Sequence, residues 1–182
     1  MRPVVVSDVL AVGEVPSPEQ IVILARAGFK SLINNQPDGE VERLLSSAEI
    51  GVECAKAGLA YRYAPLASRT PPEEDLARFA AAIKEMPAPI YACCYSGSRS
   101  AAGCALVLAR EQDAAAIIRS FADAGFDISG LKPWLEAGRP GAAPKAANGA
   151  NGHQGSSNGA AAEAAKPASP VATAAAAPAA YK

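Results

Sequence analysis

Cys94-Tyr95-Ser96-Gly97-Ser98-Arg99-Ser100 places a nucleophilic thiol and a permanently charged guanidinium within one short segment. The apolar run Ala88 to Ala92 precedes it and the Ala-rich stretch Ala101 to Ala109 follows, so the order reads strand, tight loop, helix. Backbone N–H groups of such a loop converge with the positive end of the helix dipole, a field that stabilises an anion or a thiolate. A cysteine at a helix N-terminus beside an arginine ionises more readily than a free thiol and attacks as the thiolate. Arg99 adds a forked donor for an oxyanion. The alternative is a buried cysteine and a surface arginine that merely flank a turn.

Spacing within the loop separates two chemistries. From Cys94 the arginine follows after four intervening residues, C-x-x-G-x-R, which resembles the active-site loop of rhodanese-type sulfurtransferases. Tyrosine-phosphatase loops hold five residues there, C-x-x-G-x-x-R, usually with a histidine before the cysteine. Counting from Cys93 does give five, but that register moves Gly97 one place too far and puts Ala92 at the histidine position. Cys94 is therefore the expected nucleophile. A shorter loop encloses a smaller ring of N–H groups, matched to a terminal persulfide sulfur rather than to a phosphate.

The leaving group points the same way. Cysteine phosphatases need an acid to protonate the departing oxygen, typically an Asp about thirty residues before the nucleophile. That region here, Pro65 to Arg69, holds no carboxylate. Glu73, Glu74 and Asp75 fit the first turn of a helix, where the dipole favours them. Asp38 and Glu40 are outside candidates in a turn after a strand, although Asp38-Gly39 is also a common turn pair. Sulfur transfer has a good leaving group and needs no such acid.

The expected activity is accordingly a two-step sulfur transfer. Cys94 takes the outer sulfur of thiosulfate or a persulfide, holds it as a persulfide and passes it to a thiol or cyanide acceptor. Arg99 orients the donor's anionic group, while Ser100 hydrogen-bonds the thiolate or caps the helix. Tyr95, Ser96, Gly97 and Ser98 wrap the substrate. Cys93 is a resolving thiol or a buried strand residue, and Cys54 and Cys104 belong to the core. Two alternatives remain: a cysteine-dependent phosphatase of the dual-specificity type, and a non-catalytic redox or anion-binding module.

These residues need elements to hold them. Ser17 to Gln20, Ser46 to Glu49 and Thr70 to Glu73 carry the S/T-x-x-E/Q spacing that closes the first N–H groups of a helix. Ala27-Gly28-Phe29, Ala57-Gly58-Leu59 and Ala124-Gly125-Phe126 each supply a glycine for a left-handed cap, then an apolar residue that folds back. Short apolar runs at Ser31 to Asn34, Arg62 to Leu66 and Pro89 to Cys93 alternate with them, and Val4 to Val12 supplies an edge strand. The class is α/β: a parallel-rich central sheet flanked by helices, with its site at the carboxyl ends of the strands. Two further helices are expected around Asp113 to Ala124 and Ile128 to Ala137.

Composition bounds the remainder. The 182 residues carry a formal net charge of −1, so no basic field argues for nucleic acid. Residues 1–138 suffice for one catalytic domain, whereas 139–182 consist largely of Ala, Pro, Gly, Asn and Ser and are expected to be a disordered tail. The apolar run Val4 to Val12 is broken by Asp8 and followed by Glu14, so neither an export signal nor a membrane span is expected. Four cysteines without metal-like spacing suit free thiols in a reducing cytoplasm. The one histidine, His153, falls in the tail, so no metal and no cofactor are expected. The oligomeric state is left open.

A wider resemblance joins these pieces. Val12-Gly13, Pro16 to Gln20, Gly28 to Asn35 with Pro37 to Glu40, Ala57 to Tyr61 and the C-Y-S-G-S-R loop together resemble the bacterial beta-lactamase-hydrolase-like family, over about Met1 to Leu135. That resemblance implies a cysteine-phosphatase-like fold carrying a loop of rhodanese length, in a family associated with sulfur transfer. Glu14 stands where the family has Gln, and Gln36 where it has Arg before the Pro-Asp-Gly-Glu run. Loss of that arginine would weaken the grip on an anionic substrate or alter specificity.

Overall fold

Residues 4–14 place two apolar runs, Val4 to Val6 and Val9 to Val12, on either side of a polar break at Ser7-Asp8. In the computed structural model, which describes residues 3–138, they fold back as a hairpin of β1 (Val4–Ser7) and β2 (Leu10–Glu14). The single edge strand expected here is thus two, with β1 at the edge and antiparallel to β2. Three further strands, β3 (Ser31–Asn34), β4 (Ala60–Tyr63) and β5 (Ile90–Cys94), join in parallel to give the order β1-β2-β5-β3-β4. Parallel neighbours require crossovers. These are α1 (Pro18–Arg26), α2 (Ser47–Ala57) and α3 (Glu73–Glu85).

Local signals place most helix ends. Ser17 and Ser46 each cap their helix reciprocally with Gln20 and Glu49, as their spacing predicts. Thr70 does not: α3 starts at Glu73 behind Pro72, with no side-chain cap. Pro71 precedes a second proline and is excluded from helical geometry, so the helix cannot begin where Thr70 would serve it. At the other end of α2, Gly58 takes φ of 75° and lets Leu59 N–H return to the Cys54 carbonyl at 2.9 Å.

The pleat of the sheet sorts the core into two faces. Val12, Ile33, Ile90 and Ala92 join one apolar cluster, with side chains from α3, α4 (Ser98–Leu108), α5 (Ala114–Asp123) and α6 (Lys132–Glu136). Ala11, Leu32, Tyr91 and Cys93 join the other, against α1 and α2. Strand β5 lies in the middle and is buried along its whole length. Its last residue, Cys94, therefore emerges at the carboxyl end of the sheet on the face opposite Cys93. The expected α/β architecture, a parallel-rich sheet with helices on both faces, is what forms. Among the described residues no helix is long and apolar enough to cross a membrane. The expected disordered tail and His153 lie outside the described residues.

Candidate active site

Cys94 ends β5 with 1% of its surface exposed, and the chain turns at Tyr95, Ser96 and Gly97 before entering α4. Gly97 makes this turn possible. Its φ is 78°, and a Cβ there would lie 3.2 Å from the Gly13 Cα and 3.2 Å from the Phe126 ring. Gly13 is itself confined, because a Cβ on it would collide with the Tyr91 hydroxyl, which donates to the Glu14 carbonyl at 2.7 Å. A loop glycine and a strand glycine thus meet where the loop crosses β2. Sequence reading noted Gly13 only within a resemblance and gave it no role at the site.

Gly97 caps α4 without any side-chain hydrogen bond. The N–H groups of Ser98, Arg99 and Ser100 open the helix and have no acceptor within it, so they face the loop as free donors. Helix α4 itself is set deep: a Cβ at Gly103 would press to 2.8 Å from Leu66 and 3.0 Å from Phe79.

The end of β3 braces this loop with three buried polar side chains, Asn34, Asn35 and Gln36. Asn35 accepts the Ser100 hydroxyl at 2.8 Å and donates to the Ala64 carbonyl at 2.7 Å. Ser100, fully buried, therefore has its proton engaged by Asn35 rather than by the Cys94 sulfur. The Gln36 side-chain oxygen accepts both Tyr95 N–H, at 2.8 Å, and an Arg99 guanidinium N–H, at 2.8 Å. The Gln36 amide oxygen thus holds loop and guanidinium together.

Arg99 is the electrostatic centre. One nitrogen donates to the Leu66 carbonyl at 3.1 Å and to Glu40 at 3.0 Å, and the other to Glu40 at 2.6 Å. Burial opposes the guanidinium's charge, but Glu40 and the neighbouring Cys94 outweigh it and raise its pKa. The Arg99 hydrogen bond in turn holds the Glu40 carboxyl below the ordinary glutamate range, against partial burial. Asp38, the other outside candidate, faces elsewhere: its carboxylate accepts the Ser47 N–H at 2.7 Å and the Ser47 hydroxyl at 2.5 Å.

The remaining loop residues lie at the rim. Tyr95 is 46% exposed and its hydroxyl accepts from Arg43 at 2.7 Å, while Ser96 and Ser98 pair through their hydroxyls at 3.0 Å. Cys93 lies on the opposite face of the sheet with its sulfur 3.9 Å from the Asn34 oxygen; burial, then the neighbouring Cys94, push its pKa well up. Burial likewise pushes Cys54 up to about 12 and raises Cys104. All four thiols are free. Among the described residues no three His, Cys, Asp or Glu side chains cluster in a way that could hold a metal ion.

Residues 3–111 match the family described as beta-lactamase hydrolase-like protein, phosphatase-like domain. The chain is similar to a beta-lactamase hydrolase-like protein of Xylella fastidiosa, 31% identical over 100 residues, which are 55% of this chain and 23% of that protein. A namesake from Agrobacterium fabrum is 29% identical over 140 residues, 75% of this chain and 32% of its own length. The chain thus spans less than a third of the curated relatives it matches. Among solved structures, a candidate phosphatase from Neisseria meningitidis superposes with a TM-score of 0.67 at 23% identity, covering 75% of this chain and 97% of that one.

These findings correct the expected chemistry. The matching family domain is described as phosphatase-like, so the sulfurtransferase activity, the Cys94 persulfide, and the persulfide or thiosulfate donor with its thiol acceptor are withdrawn. The physical fault lay in counting loop residues alone. Arg99 and Ser100 open α4 with free N–H groups, so the ring of donors does not end with the loop, and loop length does not fix what it encloses.

Proposed function

Because the chain belongs to the phosphatase-like domain family of beta-lactamase hydrolase-like proteins, we propose that it is a cysteine-dependent phosphatase acting on phosphomonoesters. The observation that carries this reading is Cys94 at the end of the central strand, facing the uncapped N-terminus of α4 with Arg99 beside it. The Cys94 thiolate attacks phosphorus, and the N–H groups of Ser98, Arg99 and Ser100 with the Arg99 guanidinium hold the phosphoryl oxygens. Positioning and charge stabilisation supply most of phosphoryl-transfer catalysis, and this nest is built to provide both. Water then releases phosphate from the phosphocysteine. Ser100 serves as a brace through Asn35, and Tyr95 forms the outer wall. Four free thiols suit a cytoplasmic setting.

The test is hydrolysis of 4-nitrophenyl phosphate by the parent chain and by Cys94→Ser. Turnover in the parent, its loss in the variant, inhibition by vanadate and a trapped phosphoryl group on Cys94 are expected. No turnover and no vanadate binding would overturn the reading. Vanadate binding without turnover would support a non-catalytic anion-binding module instead, a reading favoured by one observation: Glu40 occupies Arg99 in the resting site.

A further inference from the structure

A phosphatase needs a proton for its leaving oxygen, and the loop from Pro65 to Arg69 has no carboxylate to give one. That loop does reach the site, but it does so through a backbone oxygen, the Leu66 carbonyl on Arg99. Among the described residues the carboxylate that touches the site's guanidinium is Glu40, which comes from the other side, on the turn after β3. Resting on the phosphatase reading, we propose that Glu40 is the catalytic acid and base of this site, held on Arg99 when the site is empty and released to the leaving oxygen when a phosphoryl group takes its place.

Three features support this assignment. Glu40 holds both guanidinium nitrogens that a phosphoryl group would bind, so substrate and carboxylate compete for one fork. Its side chain is 42% exposed whereas that of Arg99 is 15% exposed, which sets Glu40 outward of the guanidinium, on the side from which an ester departs. The other carboxylates near the loop are engaged: Asp38 with Ser47, and Asp127 with Ser129. Glu14 is set beside Cys94 by the strand register but has no side-chain hydrogen bond among the described residues.

The proton balance closes without any further reagent. Glu40 is ionised while Arg99 holds it, and that hydrogen bond is what keeps its pKa low. A phosphoryl group that neutralises Arg99 removes the cause, and the freed carboxylate takes the proton of the monoanionic ester, whose second pKa is about 6. Cys94 Sγ then bonds to phosphorus as the P–O bond breaks, and the leaving oxygen accepts the bond pair and the Glu40 proton. In the second half a water gives its proton to Glu40 and its oxygen to phosphorus. The S–P bond breaks with its electrons returning to the thiolate. Glu40 gives that proton to the departing phosphate as it returns to Arg99, so the sum is ester plus water to alcohol plus phosphate.

The experiment compares kcat/KM, which reports the step that expels the alcohol, for 4-nitrophenyl phosphate and for an alkyl phosphate whose leaving group is poor. Glu40→Gln should lower the alkyl rate by roughly 10²–10⁴-fold and the 4-nitrophenyl rate by less than about tenfold, because only the poor leaving group needs the proton. Retained 4-nitrophenyl turnover also shows that the variant is folded. Glu14→Gln should leave both rates near the parent's. Equal losses on the two esters would assign Glu40 to holding Arg99 in place and overturn the proposal. So would no loss on either, or a selective loss in Glu14→Gln. A parent without turnover on any ester refutes the phosphatase reading itself, whereas an active parent with an indifferent Glu40 refutes this inference alone.

Discussion

Replacing Ser100 by Ala should cost stability rather than chemistry. The Ser100 hydroxyl donates to Asn35 at 2.8 Å, and both residues are fully buried. Removing it deletes one neutral hydrogen bond and strands the Asn35 oxygen away from water, a loss of about 1–3 kcal/mol. For a domain of this size that is a fall in melting temperature of roughly 3–5 °C per kcal/mol. Asn35→Ala also releases the Ala64 carbonyl, so it should cost more, and the double variant should lose less than the sum by about 1 kcal/mol or more. Urea unfolding of the four proteins reads these values, with unchanged slopes showing that the unfolded states are comparable. Turnover of 4-nitrophenyl phosphate by Ser100→Ala should stay within about tenfold of the parent, since the proton is engaged by Asn35 and not by sulfur. Unchanged stability with activity lost a hundredfold would refute this reasoning and return the Ser100 proton to the thiolate.

Four further outcomes are expected. Iodoacetate at neutral pH should modify Cys94 and spare Cys93, Cys54 and Cys104, whose pKa values burial raises; peptide mapping with and without vanadate protection reads this. Gly97→Ala should destabilise by about 1–3 kcal/mol and weaken vanadate binding, because a left-handed backbone and two contacts at 3.2 Å resist the methyl. Gly58→Ala, with φ of 75° but open space around it, should show only the backbone cost of about 1 kcal/mol and no change in vanadate affinity. Glu40 has a lowered carboxyl pKa, so its pairing with Arg99 contributes above the ordinary glutamate value and is lost as pH falls through the lower folded one. Melting temperatures of the parent and Glu40→Gln should therefore converge on acidification. A gap between them that persists in strong acid would show that the pairing is not what Glu40 contributes.

Features decided within one turn of chain were legible in the sequence alone. Ser17 with Gln20 and Ser46 with Glu49 cap their helices as their spacing says, and Gly58 closes α2, because each involves residues three to five apart. The alternation of strands and helices, and the position of Cys94 at a strand end before a helix, follow from the same local rules. Even there Thr70 misled, since a second proline two residues on displaced the helix start. Which chemistry the loop serves was not local. Its donors are set by Gln36, Glu40 and Asn35, which meet Arg99 and Ser100 across 59 to 65 residues of chain. Those contacts exist only because the parallel register lays β3 beside β5 and brings both carboxyl ends to one edge of the sheet. A count of residues between Cys94 and Arg99 describes one side of that nest, and only the tertiary structure shows that the other side is an asparagine, a glutamine and a carboxylate from the segment that follows a neighbouring strand.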